Sequence, residues 1–290
     1  MYKSQTLDSI RQNIDRIDNT VHDLLMERAE LASSIAAEKK KRGMPVVHPA
    51  REARMIRRLL ARHDGPLPKQ AITRIWRELV SAVSMLQSGL KAVYYIENNT
   101  PENVKIITDY FGSLLPLKQV ASFDAAMADL MSGHSDFVIV DALYAQNEMT
   151  ASWLATYAGL VAQNQNGSER PSIVQALPFV GFADDFNKNG FHVITRAHFE
   201  TSDDDMSYLV YKTSDATALN DICTKAMAAL NAEQYKLYEA QQDGQYFGLC
   251  IIDQYIDPEQ PSFIEFGHKD KNEYGGTCLH LVGHPKALKV

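Results

Sequence analysis

The chain has 290 residues, of which 45% are hydrophobic and 22% charged, and its formal net charge is −7. The length predicts two domains, and the composition is ordinary for a globular protein. No apolar run reaches about 18 residues and the N-terminus lacks the apolar stretch of a secretory signal, so we expect neither a membrane span nor export. Three widely spaced cysteines argue against a disulfide framework. The sequence therefore predicts a cytoplasmic protein.

The charge is unevenly distributed along the chain. Residues 1–90 contain 16 Lys and Arg against 10 Asp and Glu, whereas residues 91–290 contain 13 against 26. A basic first part and an acidic remainder predict a domain boundary near residue 90, between domains 1–90 and 91–290. They also suggest that the first part handles an anion.

The first part begins with a long helical pattern, in which apolar side chains recur at alternating steps of three and four residues. This apolar seam runs through Leu7, Ile10, Ile14, Ile17, Val21, Leu24, Leu31 and Ile35. No Pro or Gly interrupts it before Gly43, so we expect a helix of more than about thirty residues. That length indicates an extended bundle completed by a second copy of the chain.

Two further helices are predicted before residue 90. Pro49 suits the first turn of a second helix, which ends near the Gly65–Pro68 turn. A third helix follows, with apolar positions at Ile72, Trp76, Leu79, Val83 and Leu86. Three helices leave a thin core for a monomer. The first part is therefore predicted to be an all-α, three-helix domain that dimerises.

After Gly89 the pattern changes to alternating strands and helices. Strands are predicted near residues 92–96, 137–140, 172–175, 190–195, 208–211, 246–252 and 278–282, helices at 101–111, 123–131 and 218–230, and a polar loop at 161–171. This alternation predicts an α/β domain. The whole chain is thus an α+β multidomain protein.

Several polar residues lie on or beside the apolar faces of the three helices. They are Arg11, Arg28 and Lys39 in the first helix, Arg51 and Glu52 at the start of the second, and Gln87 in the third. A buried cation is costly unless an anion meets it. Each residue singly also fits a solvated side chain or an ion pair between subunits. The basic run Lys39–Arg42 equally fits a solvated helix end, and no interleaved aromatic residues support nucleic-acid binding.

The joint spacing of these residues resembles the all-helical AroQ class of chorismate mutases over residues ~5–90. The resemblance rests on Leu7-x-x-Ile10-Arg11-x-x-Ile14-x-x-Ile17-Asp18, Leu24-Leu25-x-Glu27-Arg28-x-Glu30-Leu31-Ala32, Lys39, Pro45-Val46-x-x-Pro49-x-Arg51-Glu52, and Ile75-Trp76-Arg77-Glu78-Leu79 to Gln87. It implies an intertwined homodimer formed through the N-terminal helices, which rearranges chorismate to prephenate in aromatic amino-acid biosynthesis.

The resemblance also implies the roles of the cations. Arg11, from the partner subunit, and Arg28 are expected to hold the two carboxylates of the substrate. Arg51 is expected to add positive potential near a carboxylate. Two guanidiniums can hold a flexible dianion bidentately in its compact reactive conformer.

The remaining family positions concern the ether and hydroxyl oxygens of chorismate. Lys39 and Gln87 are expected to donate hydrogen bonds to the ether oxygen, on which negative charge grows in the transition state. Glu52 is expected to accept one from the ring hydroxyl. His48 and Val83 depart from a common family pattern, which has an acidic and a small polar residue there. A pericyclic step requires no nucleophile, metal or cofactor, and none is expected.

Residues 91–200 resemble a degenerate first lobe of a prephenate dehydratase, and residues 207–290 resemble a degenerate ACT-like regulatory module. The matching segments are Ala92–Tyr95, Phe111-Gly112, Ser122-Phe123, Asp136–Val140 and Ile194-Thr195-Arg196. The family has a glycine- and serine-bearing turn after the first strand, where this chain has Glu97–Thr100. It has a Glu-Asn-Ser turn after the strand that ends at Val140, where this chain has Asp141–Leu143. Ala197 replaces the Phe of the family's Thr-Arg-Phe motif. The segment is too short for two full lobes, so a non-catalytic binding or oligomerisation domain is favoured.

Two alternatives remain open at this point. One is a bifunctional chorismate mutase–prephenate dehydratase, and the other is a non-catalytic helical dimerisation module joined to a ligand-sensing domain. Cys278, His280 and His284 have a loosely metal-like spacing, but no second Cys or His pair lies nearby. No zinc site is therefore predicted.

Overall fold

The computed structural model describes residues 6–42, 48–142, 148–163, 170–181, 190–196, 200–215, 217–232, 235–257, 260–262, 277–286 and 288–289. Side chains of some other residues inside helices and strands, including Leu86, Gln87, Cys278, His280 and His284, lie outside the described residues. The same holds for Leu143, Ala197, residues 43–47 and residues 164–169.

Three helices open the chain, as predicted. They are α1 (Leu7–Lys41), α2 (Pro49–Ala61) and α3 (Lys69–Ser88). The Thr6 hydroxyl accepts a hydrogen bond from the Ser9 backbone N–H at 3.3 Å, which caps the N-terminus of α1. Pro49 occupies the first turn of α2, where its missing N–H costs no helical hydrogen bond.

The apolar seam of α1 is open to solvent in the single chain. Its eight apolar members, Leu7, Ile10, Ile14, Ile17, Val21, Leu24, Leu31 and Ile35, are each between 41% and 63% exposed. A continuous apolar stripe on a 35-residue helix is a feature of a surface that packs against another element.

The described chain divides into two compact units. One consists of residues 1–46 and 83–89, and the other of residues 47–82 and 90–290. By compactness, α2 and most of α3 therefore belong with the α/β region. The predicted domain boundary near residue 90 stays a prediction.

A mixed five-stranded sheet lies in the second unit, with strand order β2-β1-β3-β6-β4. Its strands are β1 (Ala92–Tyr95), β2 (Leu117–Gln119), β3 (Phe137–Asp141), β4 (Pro171–Leu177) and β6 (Phe191–Arg196), joined by α4 (Pro101–Phe111), α5 (Phe123–Met131) and α6 (Glu148–Gln163). The strands β1, β2 and β3 are parallel, and β6 runs antiparallel to β3 and β4. This sheet confirms the predicted α/β domain.

A four-stranded antiparallel sheet follows, with strand order β10-β7-β9-β8. It consists of β7 (Asp205–Thr213), β8 (Tyr235–Gln242), β9 (Gln245–Ile252) and β10 (Thr277–Pro285), with α7 (Ala218–Leu230) between β7 and β8. A short parallel pair joins β5 (Val180–Gly181) to β11 (Leu288–Lys289). This strand order is that of ferredoxin-like folds.

The core of the second unit is built around α6. Trp153, Leu154 and Tyr157 of this helix are at most 1% exposed and belong to one apolar cluster with residues of both sheets. The opposite face of the four-stranded sheet packs against α7, through residues such as Leu209 and Ile222. Because both faces of β7 are covered, its centre is a continuous apolar run.

Candidate functional site

Four of the six predicted site residues lie in the first compact unit. Arg11, Arg28 and Lys39 are on α1, and Gln87 is near the end of α3. The Arg11 side chain is 67% exposed and lies 3.7 Å from the Asp8 carboxylate. Arg28 and Lys39 are half-buried. The Gln87 side chain lies outside the described residues.

The other two predicted residues, Arg51 and Glu52, lie in the first turn of α2, in the second unit. Arg51 is exposed and Glu52 is half-buried. A carboxylate in the first turn is stabilised by the helix dipole. The contact that decides the position of Glu52, however, comes from α3.

The structure places Arg77 of α3 against Glu52. The Arg77 side chain is only 6% exposed, and its Nη1 donates to Glu52 Oε2 at 2.5 Å. Its Nε donates to the backbone carbonyl of Tyr110 at 2.7 Å, and its guanidinium carbon lies 3.8 Å from the centre of the Tyr110 ring. Glu52, Arg77 and Tyr110 thus link α2, α3 and α4.

The pKa values of this group reflect the burial. Burial alone lowers the pKa of Arg77, but the neighbouring Tyr110 and the Glu52 carboxylate raise it above its ordinary value. Burial also raises the pKa of Tyr110 to about 12. At neutral pH the guanidinium is therefore charged and the phenol is neutral.

Arg77 lies in the string Ile75–Leu79 that carries the family resemblance but received no role there, although the sequence contains a signal for it. Thr73, Arg77 and Ser81 recur at steps of four on α3, and each is at most 8% exposed. Such spacing forms a polar stripe along one face of a helix. The stripe faces the C-terminal end of α4. Beside it on α3, Glu78 accepts hydrogen bonds from the backbone N–H and the hydroxyl of Ser113, at 2.8 and 2.6 Å.

A second arginine also joins α3 to α4. Arg74 donates to Asp109 at 2.7 Å, and its side chain is 57% exposed. Arg74 and Arg77 both line a cavity of about 110 Å³, and Phe179 is among its other lining residues. Because each guanidinium already faces a carboxylate, this cavity does not have the excess positive charge that an anion would need.

The carboxyl ends of β1 and β3 meet at a second polar edge. Asp141 is 8% exposed and accepts a hydrogen bond from the Glu97 backbone N–H at 2.7 Å. Burial raises the pKa of Asp141, and the neighbouring Glu97 carboxylate adds to the rise. Thr100 caps α4 by accepting from the Asn103 backbone N–H at 3.3 Å. The Glu97–Thr100 turn thus serves the local structure.

The motif position Thr195 is also used structurally, because its hydroxyl donates to the Asp136 carbonyl at 2.7 Å.

Among the described residues, no group of three or more His, Cys, Asp and Glu could hold a metal ion. No described helix is long and apolar enough to cross a membrane.

Comparison with known families identifies the first part of the chain. Residues 10–88 match the family model of chorismate mutase type II. The N-terminal segment is therefore a chorismate mutase type II domain, an isomerase family, as its resemblance predicted. All six predicted site residues fall within the matched residues.

Curated relatives extend the similarity beyond this segment. The chain is 26% identical over 145 residues to a bifunctional chorismate mutase/prephenate dehydratase of Stutzerimonas stutzeri, covering 48% of this chain and 40% of that protein. It is 35% identical over 94 residues to the protein of the same name from Aquifex aeolicus, covering 31% and 26%. The first match is longer than the helical segment, so it reaches into the α/β region. The chain spans less than half the length of these relatives.

Solved structures give weaker likenesses. They include a prephenate dehydratase of Arthrobacter aurescens in complex with L-Phe, which is 9% identical. The match covers 68% of this chain and 90% of that chain, with a TM-score of 0.49. GqqA, described as a novel type of quorum quenching acylase, has 11% identity, coverages of 68% and 95%, and a TM-score of 0.46.

Proposed function

We propose that the chain is a chorismate mutase, which converts chorismate to prephenate by an intramolecular rearrangement. The observation that carries the proposal is the match of residues 10–88 to the chorismate mutase type II family. That match spans all six residues to which we assign a role in binding and rearranging chorismate. The proposed site requires no cofactor and no metal.

The proposed mechanism is positioning combined with electrostatic stabilisation. Arg28 and a partner subunit's copy of Arg11 bind the two substrate carboxylates and hold the chain of reacting atoms in its compact conformer. Arg51 adds positive potential. No proton transfer is needed, because a C–O bond breaks as a C–C bond forms within one molecule.

The transition state is stabilised at the ether oxygen. As the C–O bond breaks, negative charge grows there, and Lys39 and Gln87 donate hydrogen bonds to it. Glu52 accepts a hydrogen bond from the ring hydroxyl, which fixes the orientation of the ring. Residues aimed at developing charge raise the rate more than residues that bind substrate and transition state equally.

A homodimer formed through α1 is part of the proposal. Two observations support it: the apolar seam of α1 is 41–63% exposed along its whole length, and Arg11 on the same helix is 67% exposed. A second copy of α1 would bury this seam and bring its own Arg11 toward the neighbouring site.

We propose a cytoplasmic enzyme that acts on a small molecule, not on nucleic acid or a membrane.

The proposal is tested by incubating the purified chain with chorismate and identifying the product. We expect prephenate, and we expect Lys39→Ala to lower kcat by about 100- to 1,000-fold, the usual cost of losing one such donor. Lys41→Ala is the matched control, because Lys41 is an exposed lysine of the same helix outside the proposed site. Absence of turnover by the wild type contradicts the proposal and favours the non-catalytic dimerisation module.

A bifunctional enzyme is the second candidate, because the relatives named above are called bifunctional chorismate mutase/prephenate dehydratases. Against it, the turns Glu97–Thr100 and Asp141–Leu143 depart from the sequences that the dehydratase resemblance leads us to expect. We therefore propose a non-catalytic role for the α/β region. Supplying prephenate directly and assaying phenylpyruvate separates the two, since phenylpyruvate at enzymatic rates would establish a dehydratase.

A further inference from the structure

We propose that Arg77 is a positioning residue for Glu52, and that the α/β region, through Tyr110, holds Arg77 in place. The inference rests on the proposed function, in which Glu52 accepts a hydrogen bond from the ring hydroxyl of chorismate. The position of Glu52 then depends in part on a residue beyond the matched family segment, because Tyr110 lies on α4.

The first support is the burial of the pair. The Arg77 and Glu52 side chains are 6% and 19% exposed, and they form an ion pair. A guanidinium this deeply buried is stable only when an anion and further acceptors meet its N–H groups. Arg77 finds both, in the Glu52 carboxylate and the Tyr110 carbonyl.

The second support is that Arg77 is held from two sides. Its Nε donates to the Tyr110 carbonyl at 2.7 Å while the guanidinium lies 3.8 Å from the centre of the Tyr110 ring. A planar guanidinium fixed by one hydrogen bond and one ring contact has little freedom left. The position of its Nη1 then defines where Glu52 Oε2 must lie.

The consequence for Glu52 is a carboxylate held in one orientation. A free glutamate has several rotamers, and fixing them at the moment of binding costs conformational entropy. The ion pair imposes that order in advance and occupies Oε2, while a carboxylate can accept at both oxygens. A pre-oriented acceptor for a ring hydroxyl therefore follows from the contact.

The chain provides a matched control in Arg74. It lies on the same helix, joins α3 to α4 through Asp109, and lines the same cavity, but its ion-pair partner is Asp109 rather than Glu52. Loss of Arg74 removes a link between α3 and α4 and leaves the Arg77–Glu52 pair intact.

The experiment is a double-mutant cycle in the full-length chain, with kcat/KM for chorismate as the readout. We expect Arg77→Gln to lower kcat/KM about tenfold to a hundredfold, because it removes a hydrogen bond between charged groups. In the Glu52→Gln background the same change is expected to have less than about threefold effect, since Arg77 acts through Glu52. We expect Arg77→Lys to recover part of the loss and Arg74→Gln to retain wild-type kcat/KM.

Thermal unfolding of each variant separates folding from positioning. The Glu52→Gln/Arg77→Gln double variant carries a neutral pair, so it tests the site even if Arg77→Gln alone unfolds. Equal losses from Arg77→Gln in both backgrounds, or no loss in a folded Arg77→Gln variant, overturn the inference while leaving the mutase intact. A wild type that leaves chorismate unchanged refutes the proposed function itself, and the inference with it.

Discussion

Replacing Gly112 with alanine is expected to disrupt the contact between α3 and α4. Gly112 has φ 80° and ψ 170°, a region of backbone space that only glycine populates readily. A Cβ there would lie 2.9 Å from Ser81 Cβ and 3.1 Å from Glu78 Oε2. The backbone strain costs about 1–3 kcal/mol, and the overpacking costs about as much again.

Gly112→Ala is therefore expected to lower the free energy of unfolding by about 2–6 kcal/mol, measured by urea denaturation with tryptophan fluorescence. Gly244→Ala is the control, because Gly244 has φ 72° and nothing within 4 Å of its added Cβ, so only strain of about 1–2 kcal/mol applies. Adding Ser81→Gly removes the Ser81 contacts and should recover part of the stability lost to overpacking, less about 1 kcal/mol for a glycine inside α3. Equal effects of the two alanine variants would refute the proposed close packing.

Three further predictions concern the second compact unit. Arg57→Ala is expected to destabilise this unit by about 2–4 kcal/mol in urea denaturation, because Arg57 donates to the Ser202 and Asp204 carbonyls, each at 2.7 Å. Arg58→Ala is the control, because Arg58 is exposed on the same helix. Equal effects of the two substitutions would contradict this prediction. Tyr211→Phe should cost about 1 kcal/mol, since its buried hydroxyl donates to the Leu219 carbonyl at 3.0 Å, and an unchanged urea midpoint would contradict that bond. Burial raises the pKa of Asp141, so its ionisation costs native stability as the pH rises from the unfolded-state pKa to the folded-state pKa. Asp141→Asn is accordingly expected to raise Tm at pH 7 but not below the unfolded-state pKa, and a Tm difference independent of pH contradicts the assignment.

Local signals in the sequence were sufficient for most elements of the fold. The predicted helices at 101–111, 123–131 and 218–230 have those bounds in the structure. Two of them begin at a hydroxyl cap, Thr100 or Ser122, whose side chain accepts from the backbone N–H three residues later. Such caps act over a few residues, and they can be read without knowledge of the tertiary structure.

Helix α6 and strand β8 were missed for different reasons, and the two-residue strands β5 and β11 were not predicted either. Helix α6 is surrounded by the two sheets, so its apolar residues do not follow a single helical face and no periodicity marks it. Strand β8 was missed although Asp243-Gly244, with φ 52° and 72°, forms the turn of the β8–β9 hairpin. An Asp-Gly pair between two strand-like segments is a recognised hairpin signal.

The candidate site was only partly accessible from sequence. Arg28 stood out because a cation interrupts an apolar seam, and the family spacing supplied its companions. Arg77 did not stand out, because its partners Glu52 and Tyr110 are 25 and 33 residues away along the chain. A contact of that kind depends on how helices pack, which periodicity alone does not determine.

We propose that two copies of the chain together form a site that rearranges chorismate. Mixing two inactive variants, Arg11→Ala and Arg28→Ala, after joint unfolding and refolding tests it most directly. In a mixed dimer one site carries both substitutions and the other carries neither, so we predict recovery of up to about a quarter of the wild-type rate of chorismate loss. A mixture as inactive as either variant alone, or an Arg11→Ala variant with wild-type activity, would contradict the account.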